Sequence, residues 1–526
     1  MTRFSGRRVL SDVTAAPGSA PGSGSSVDPE RLPDPGSALG VPTLGAPPPF
    51  LAVLRNAGWL TSANLVGDIL GFVLFIVLSR NFGPSGIGEY AYGVAIAGLA
   101  HVAVMFGLED YGVREVARST ASEARQLIGG LIGAQLVLLA GVAGLLVAFV
   151  ALTRPSPAVA SIIFIMAIYQ LSFAVARTLF IPAYAGERMV APALSELGCR
   201  ALGIVVALIL VGGSHATLVD ALVAYPVAGL LMVGLALRSV LGFTGMPAIR
   251  VSGPDVMRVL RIAWPFAAAE LLMILYARAD VVMLALMAGE RATGIYASSL
   301  KFLEVMSMPL SFLGFAAYPV LSRTHEWDPG RLAVVAGRLL KSTMVVGGLV
   351  GWALFFVVPA VLIPLLGESF ATSVPLLRAM AVLALLAGVE VAAARVLLAA
   401  RLQARFLALQ FLSVLGNIIL NALLIPRFGV WGALAASIAA LLAAAVLYLE
   451  ALRRVIDLAA LLRPALVFLL PVGVAVGVGA LAVGAGLPGL SAAASLAVFL
   501  VLCVALDLVP AGARRGLSDL VKRIRP

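Results

Sequence analysis

Residues 261–323 read RIAWPFAAAELLMILYARADVVMLALMAGERATGIYASSLKFLEVMSMPLSFLGFAAYPVLSR. Two apolar spans, 262–286 and 292–318, flank the short polar turn Ala288–Thr293. Each is long enough to cross a hydrocarbon core of ~30 Å as a helix. Both carry ionisable groups at depth: Glu270, Arg278 and Asp280 in the first, Lys301 and Glu304 in the second. A charge at the bilayer centre costs ~2.5–3.5 kcal/mol on insertion scales. Several in one hairpin therefore imply a polar interior turned away from lipid.

Working outward, the same pattern repeats. The spacing predicts fourteen spans, at 57–79, 88–108, 127–151, 158–182, 191–212, 217–237, 262–286, 292–318, 332–357, 374–399, 404–425, 429–451, 464–484 and 488–509. Turn residues such as Gly83-Pro84-Ser85-Gly86 and Arg154-Pro155-Ser156-Pro157 punctuate them. A chain of 526 residues with 61% hydrophobic content and only 12% charged residues is an integral membrane protein. Cys199 and Cys503 both fall inside spans, so no disulfide framework is expected. Residues 1–50 hold 9 Pro, 7 Gly and 7 Ser without an apolar run, which predicts a disordered tail and not a signal peptide.

The net charge of +11 reflects orientation and not nucleic-acid binding. With the N-terminus placed in the cytoplasm, 25 basic loop and tail residues fall on that side. Only Arg80, Arg154, Arg291 and Arg427 fall on the other. The bias predicts cytoplasmic termini in a multi-pass cell-membrane protein.

An internal repeat sets the architecture. Gly88-Glu-Tyr90-Ala matches Gly294-Ile-Tyr296-Ala at an offset of 206, which also aligns Asn64 with Glu270. At an offset of 218, Arg177 matches Arg395 and Gly198 matches Gly416. Spans 1–6 and 7–12 are equal in number and alike in orientation, so they form a parallel repeat with a cavity between the halves. The expected fold is an all-α polytopic membrane protein: two pseudo-symmetric six-helix bundles plus two appended helices. The expected boundaries are a tail at 1–50, bundles at 51–237 and 262–452 around a linker at 238–261, appended helices at 453–510 and a basic tail at 511–526.

Loops of at most about 25 residues leave no room for a catalytic or nucleotide-binding domain. No P-loop, zinc-ligand cluster or nucleophile elbow is present, so neither an enzyme nor a cofactor is expected. Candidate chemistry lies in the spans. Arg278 and Lys301 fall at a similar depth on adjacent antiparallel helices, with Asp280 and Glu304 around them. They form either a structural charge cluster or a cationic site for an anionic headgroup with a carboxylate for H⁺ or Na⁺. Arg177 and Arg395 sit near span ends, within snorkelling reach, but their recurrence in the repeat favours the cavity. Glu196 and Arg200 share a helix face and are expected to pair. That leaves Asp68, near mid-bilayer beside Asn64, as the leading ion-coupling candidate, with Asp280, Glu304 and Glu270 behind it. Over the spans, seven basic groups face six acidic ones, a slight excess.

Trp264-Pro265 opens the central hairpin, Asp280 stands near the far end of its first span, and Gly294-Ile-Tyr296-Ala begins the second, which Pro319 closes before Arg323. This pattern resembles the polysaccharide-biosynthesis flippases of the multidrug/oligosaccharidyl-lipid/polysaccharide exporter superfamily, over nearly all of residues 55–455. The resemblance implies alternating-access export of a polyprenyl-diphosphate-linked oligosaccharide by a monomer in membrane lipid. Arg278, Lys301, Arg177 and Arg395 would bind substrate, and H⁺ or Na⁺ would be the coupling ion. A multidrug or toxin cation antiporter on the same fold and a lipid-linked peptidoglycan-precursor flippase remain open alternatives. A membrane polymerase would need a large outer loop or catalytic domain, and a scaffold leaves the mid-membrane charges without a role.

Overall fold

A computed structural model describes residues 50–213, 216–249, 251–453, 455–484 and 488–509; the expected tails at 1–50 and 511–526 lie essentially outside these. All regular structure among the described residues is helical. Among the described residues, twelve helices are long and apolar enough to cross a membrane. The first, α1 (Phe50–Met105), has 56 residues and breaks at Gly83, where φ 63 and ψ −168 interrupt the helix before Pro84 restarts it. Gly71 and Val94 line one cavity, although on a straight helix they would lie about 35 Å apart. The two arms therefore fold back on each other as separate spans. With α1 counted as two and the short apolar helix Leu490–Ala505 added, the twelve become the fourteen expected.

After α1 come α2 (Leu108–Val116), α3 (Ala121–Thr153), α4 (Pro157–Ala185), α5 (Val190–Val211), α6 (Leu218–Leu222) and α7 (Ala224–Thr244), completing the first half. Its α3 starts on a capping box, Thr120 with Glu123, which satisfies two otherwise orphan backbone N–H groups. The second half begins with α8 (Gly253–Ala288) and α9 (Glu290–Trp327). Gly289 alone makes their turn at φ 84, so the polar turn expected over six residues shrinks to one. Pro319 does not end the span either, because α9 carries Pro309 and Pro319 within it and runs on to Trp327. A proline forfeits one backbone hydrogen bond and kinks a helix without stopping it when flanking turns pack well.

Next, α10 (Pro329–Trp352) passes through a π-helical turn at Ala353–Val357 into α11 (Val358–Leu366), well past the expected end at 357. The half closes with α12 (Ser373–Ala399), α13 (Gln403–Phe428) and α14 (Val430–Leu452). The connection between halves is 245–252, shorter than the expected 238–261, because α7 and α8 each extend into it.

The appended α15 (Leu458–Gly484) and α16 (Pro488–Ala505) pack on each other and on α10. Phe468 and Phe499 meet edge to face at 5.9 Å over Gly348, where a Cβ would come within 2.6 Å of Phe499. Lys341 Nζ donates to the Asp507 carbonyl at 2.8 Å and fastens the far end. Leu152, Ile209, Leu481 and Val501 are largely exposed around the outside, as a lipid-facing surface requires.

The repeat becomes physical where α1 meets α9. A Cβ on Gly88 would lie 1.8 Å from the Glu290 carbonyl oxygen, and one on Gly294 would lie 1.7 Å from that of Pro84. Pro84 and Glu290 are themselves related by the offset of 206, as are Gly88 and Gly294. The two copies of the motif thus clasp each other reciprocally, backbone on backbone, about a local two-fold axis. Only glycine permits that approach.

Candidate functional site: a polar cavity between the halves

A cavity of about 360 Å³ lies between the halves. The first half supplies Tyr90, Tyr169, Gln170, Glu196, Arg200 and Tyr225, and the second supplies Arg278, Lys301 and Glu304. Each polar group is placed by helix register. Lys301 and Glu304 are three apart on α9 and so share a face. Arg278 reaches them from α8, donating from Nη1 to Glu304 Oε1 at 3.1 Å, while Lys301 Nζ reaches Glu304 Oε2 at 3.4 Å. One carboxylate thus serves two cations, and all three side chains remain about one-third exposed. The cluster is both paired and open to the cavity, a geometry compatible with either account of Arg278.

Arg200 corrects the expected pairing. Its guanidinium crosses from α5 to α1 and donates to Asp68 Oδ1 at 2.7 Å. Gly67 and Gly71, one turn apart, make the room: a Cβ at Gly67 would meet Arg200 Nη1 at 2.8 Å. Asp68 is therefore not unpaired, and Glu196, expected to neutralise Arg200, lines the cavity with no ion-pair partner among the described residues. Sequence spacing finds partners on one helix, but this one came from another.

The remaining candidates lie away from the cavity. Arg177 is held by a bidentate pair to Glu109 on α2, Nε to Oε2 at 2.7 Å and Nη2 to Oε1 at 2.9 Å. Glu270 lies on α8, which packs at Ala263, Phe266 and Ala267 against Gly107 at the start of α2. Arg395, the repeat mate of Arg177, stacks over the Phe315 ring with its guanidinium carbon 4.3 Å from the centroid. Asp280 is buried, accepting from its neighbour's Val281 N–H at 2.8 Å and from the Tyr296 hydroxyl at 2.5 Å. It faces the interior of the second half, whereas Glu304 faces the cavity. Asn421 donates to Asn417 at 2.9 Å within α13, not between helices, and its own Oδ1 is buried without a partner. No group of three or more His, Cys, Asp and Glu side chains that could hold a metal occurs among the described residues.

Residues 53–325 match the family described as "Polysaccharide biosynthesis protein". The chain belongs to that family. No curated protein matches the chain. Among solved structures, the fold is similar to "Lipid II flippase MurJ, inward closed conformation", with a TM-score of 0.67 and 14% identity over 86% of this chain and 99% of that one. It is also similar to an inward-facing multidrug resistance MATE transporter of the MOP superfamily, with a TM-score of 0.57 and 16% identity over 76% and 96%. A third is the MATE multidrug transporter DinF-BH in complex with R6G, with a TM-score of 0.51 and 18% identity over 79% and 97%.

The cavity also has an aromatic wall of Tyr90, Tyr169 and Tyr225, which the spacing of charges does not reveal. Tyr169 and Tyr225 meet at 4.9 Å, ring edge to face. Tyr90 carried a signal, since it stands in the repeated motif. The other two carried none, because an aromatic residue in an apolar span reads as core. Arg378 is a further basic residue within the spans, and its guanidinium carbon lies 5.6 Å from the Phe355 ring centroid.

Proposed function

We propose that this multi-pass membrane protein is a flippase that moves a polyprenyl-diphosphate-linked oligosaccharide across the cell membrane by alternating access. The observation that carries the reading is the cavity's charge pattern. Arg278 and Lys301 share the single carboxylate of Glu304, while Arg200 is matched by Asp68 and Glu196 stands opposite, and Arg278 uses only one of its guanidinium nitrogens on Glu304. The rest of that fork suits phosphate oxygens, which arginine binds bidentately. The tyrosines offer flat apolar faces and hydroxyls beside it. Cavities of ~300–1,000 Å³ hold small ligands, so a whole glycan requires the halves to part. The lipid tail stays in the bilayer while diphosphate and sugars cross. Asp280, Glu304, Glu270 and Asp68 remain the candidates for coupling to H⁺ or Na⁺.

The loop-charge bias supports cytoplasmic termini, with the turns at Gly289 and Gly429 outside. Single cysteines there should react with impermeant thiol reagents from outside, and labelling of 245–252 from that side would reverse the orientation.

The functional test is flipping of polyprenyl-diphosphate-linked oligosaccharide in proteoliposomes. Arg278→Ala should reduce it at least tenfold with the protein still folded, because Lys301 continues to neutralise Glu304. Full activity of the double change Arg278→Ala with Glu304→Ala would end the substrate role of Arg278. A second reading, export of organic cations, draws on Glu196 and the tyrosine wall, which suit a cation better than a diphosphate. Transport of a rhodamine-type dye lost on Glu196→Gln, with no glycan flipping, would favour it. Preference for a peptide-bearing lipid-linked precursor would identify a peptidoglycan-type substrate.

A further inference from the structure

A second polar concavity lies at the other end of α9, about 30 Å along the helix from the cavity residues Lys301 and Glu304. It has a volume of about 650 Å³ and opens between the last turns of α9 and the first turns of α10. Arg323, Arg331 and Arg338 line it, with Asp328 as its one acidic group. Asp328 engages only Arg331, Nε to Oδ2 at 3.4 Å, and both side chains are more than half exposed. Arg323 donates only to the Pro319 carbonyl of its own helix, at 3.4 Å, and Arg338 has no ion-pair partner among the described residues. Two arginines therefore converge on one space without a carboxylate between them.

The rest of the lining is apolar and exposed. Trp327 is 77% exposed, and Val320 and Val334 are about half exposed. A cationic concavity bordered by open valines and a tryptophan is poorly suited to bulk water and well suited to the bilayer interface. There tryptophan sits at headgroup depth and aliphatic side chains meet acyl chains. Ordinary positive-inside arginines scatter along loops and snorkel singly. These three instead converge from two helices joined by a single non-helical residue, Asp328.

We propose that this groove binds an anionic phospholipid of the cytoplasmic leaflet, with Arg323 and Arg338 on the phosphodiester, Trp327 at the glycerol level and Val320 and Val334 against the acyl chains. The placement rests on the orientation above. Basic pockets between transmembrane helices on that side recognise anionic headgroups in this way. The lipid would bridge α9 to α10. Because α9 also carries Lys301 and Glu304, occupancy would brace the helix that presents two of the three members of the cavity's charge cluster.

The test is native mass spectrometry of the full chain titrated with phosphatidylglycerol and, separately, phosphatidylcholine. Phosphatidylglycerol should be retained preferentially. Each of Arg323→Ala and Arg338→Ala should weaken it about fivefold, and the pair by about thirtyfold, since one arginine near an anionic headgroup is worth ~1 kcal/mol. Trp327→Ala should weaken both lipids alike. The cavity variant Arg278→Ala should leave binding unchanged while flipping falls, which separates failure of this site from failure of the flippase reading. Arg453→Ala, an exposed arginine outside the groove, serves as the control. Equal losses at Arg453 and at the groove would show a generic basic surface and overturn the proposal. Displacement by inorganic diphosphate at equal concentration would overturn it in favour of a free-anion site. Loss of polyprenyl-diphosphate binding with phosphatidylglycerol unaffected would make the groove a landing site for substrate and also overturn it.

Discussion

Tyr90 and Tyr296 occupy equivalent places in the two copies of one motif, yet they do different work. Tyr90 lines the cavity between the halves. Tyr296 is fully buried and donates to Asp280 deep in the second half. Arg177 and Arg395 diverge in the same way: one is gripped by Glu109 through two hydrogen bonds, the other rests on the Phe315 ring. The backbone keeps the two-fold relation, closely enough for Gly88 and Gly294 to clasp reciprocally, while the side chains have abandoned it. Symmetry here belongs to the backbone scaffold, and asymmetry belongs to the side chains.

The sharpest way to break the comparison is at the clasp. Gly88→Leu and Gly294→Leu should each abolish flipping, because even a Cβ falls within 1.8 Å of a carbonyl oxygen. The alanine versions should each cost ~1–3 kcal/mol as overpacking does. If the two-fold relation governs this contact, the two alanine variants will match each other in transport and thermal stability. Wild-type behaviour of both would remove the clasp from the account.

A smaller effect separates the two tyrosines. Tyr296→Phe leaves the buried Asp280 short of a donor and should lower stability by ~1–3 kcal/mol, seen as a lower melting temperature in detergent. Tyr90→Phe should leave the melting temperature nearly unchanged and alter only substrate handling. Equal destabilisation would mean that the halves are chemically alike after all.

The arginine pair gives a finer test. Arg177→Lys loses one arm of a bidentate bond and should cost ~1 kcal/mol, read from the same melting curves. Arg395→Lys keeps a cation over an exposed Phe315 ring and should cost ~0.5 kcal/mol or less. The reverse order would point to an unseen partner for Arg395.

A small effect on stability is also expected at the Arg200–Asp68 bridge. Both side chains are about a third or more exposed, so Asp68→Asn should change stability by less than ~1 kcal/mol. Flipping should still fall several-fold, since Arg200 loses its anchor at the cavity wall. Circular dichroism melts and the liposome assay on one preparation decide it.

Composition and hydropathy determined that this chain is a bundle of membrane helices. Backbone hydrogen bonding in lipid makes an apolar run of ~20 residues a helix, and the repeat at offsets of 206 and 218 determined that the bundle has two related halves. The concentration of charge in 261–323 likewise marked one side of the cavity, because buried charge is too costly to occur there without a purpose. Which charges meet was decided only by the tertiary structure. Asp68 found Arg200 from α5, Arg177 found Glu109 from α2, and Asp280 turned inward to Tyr296 while Glu304, on the neighbouring helix, turned to the cavity. Helical spacing fixes which residues share a face. Which way that face points, and what stands opposite, depends on the rotation and packing of helices far apart in the chain.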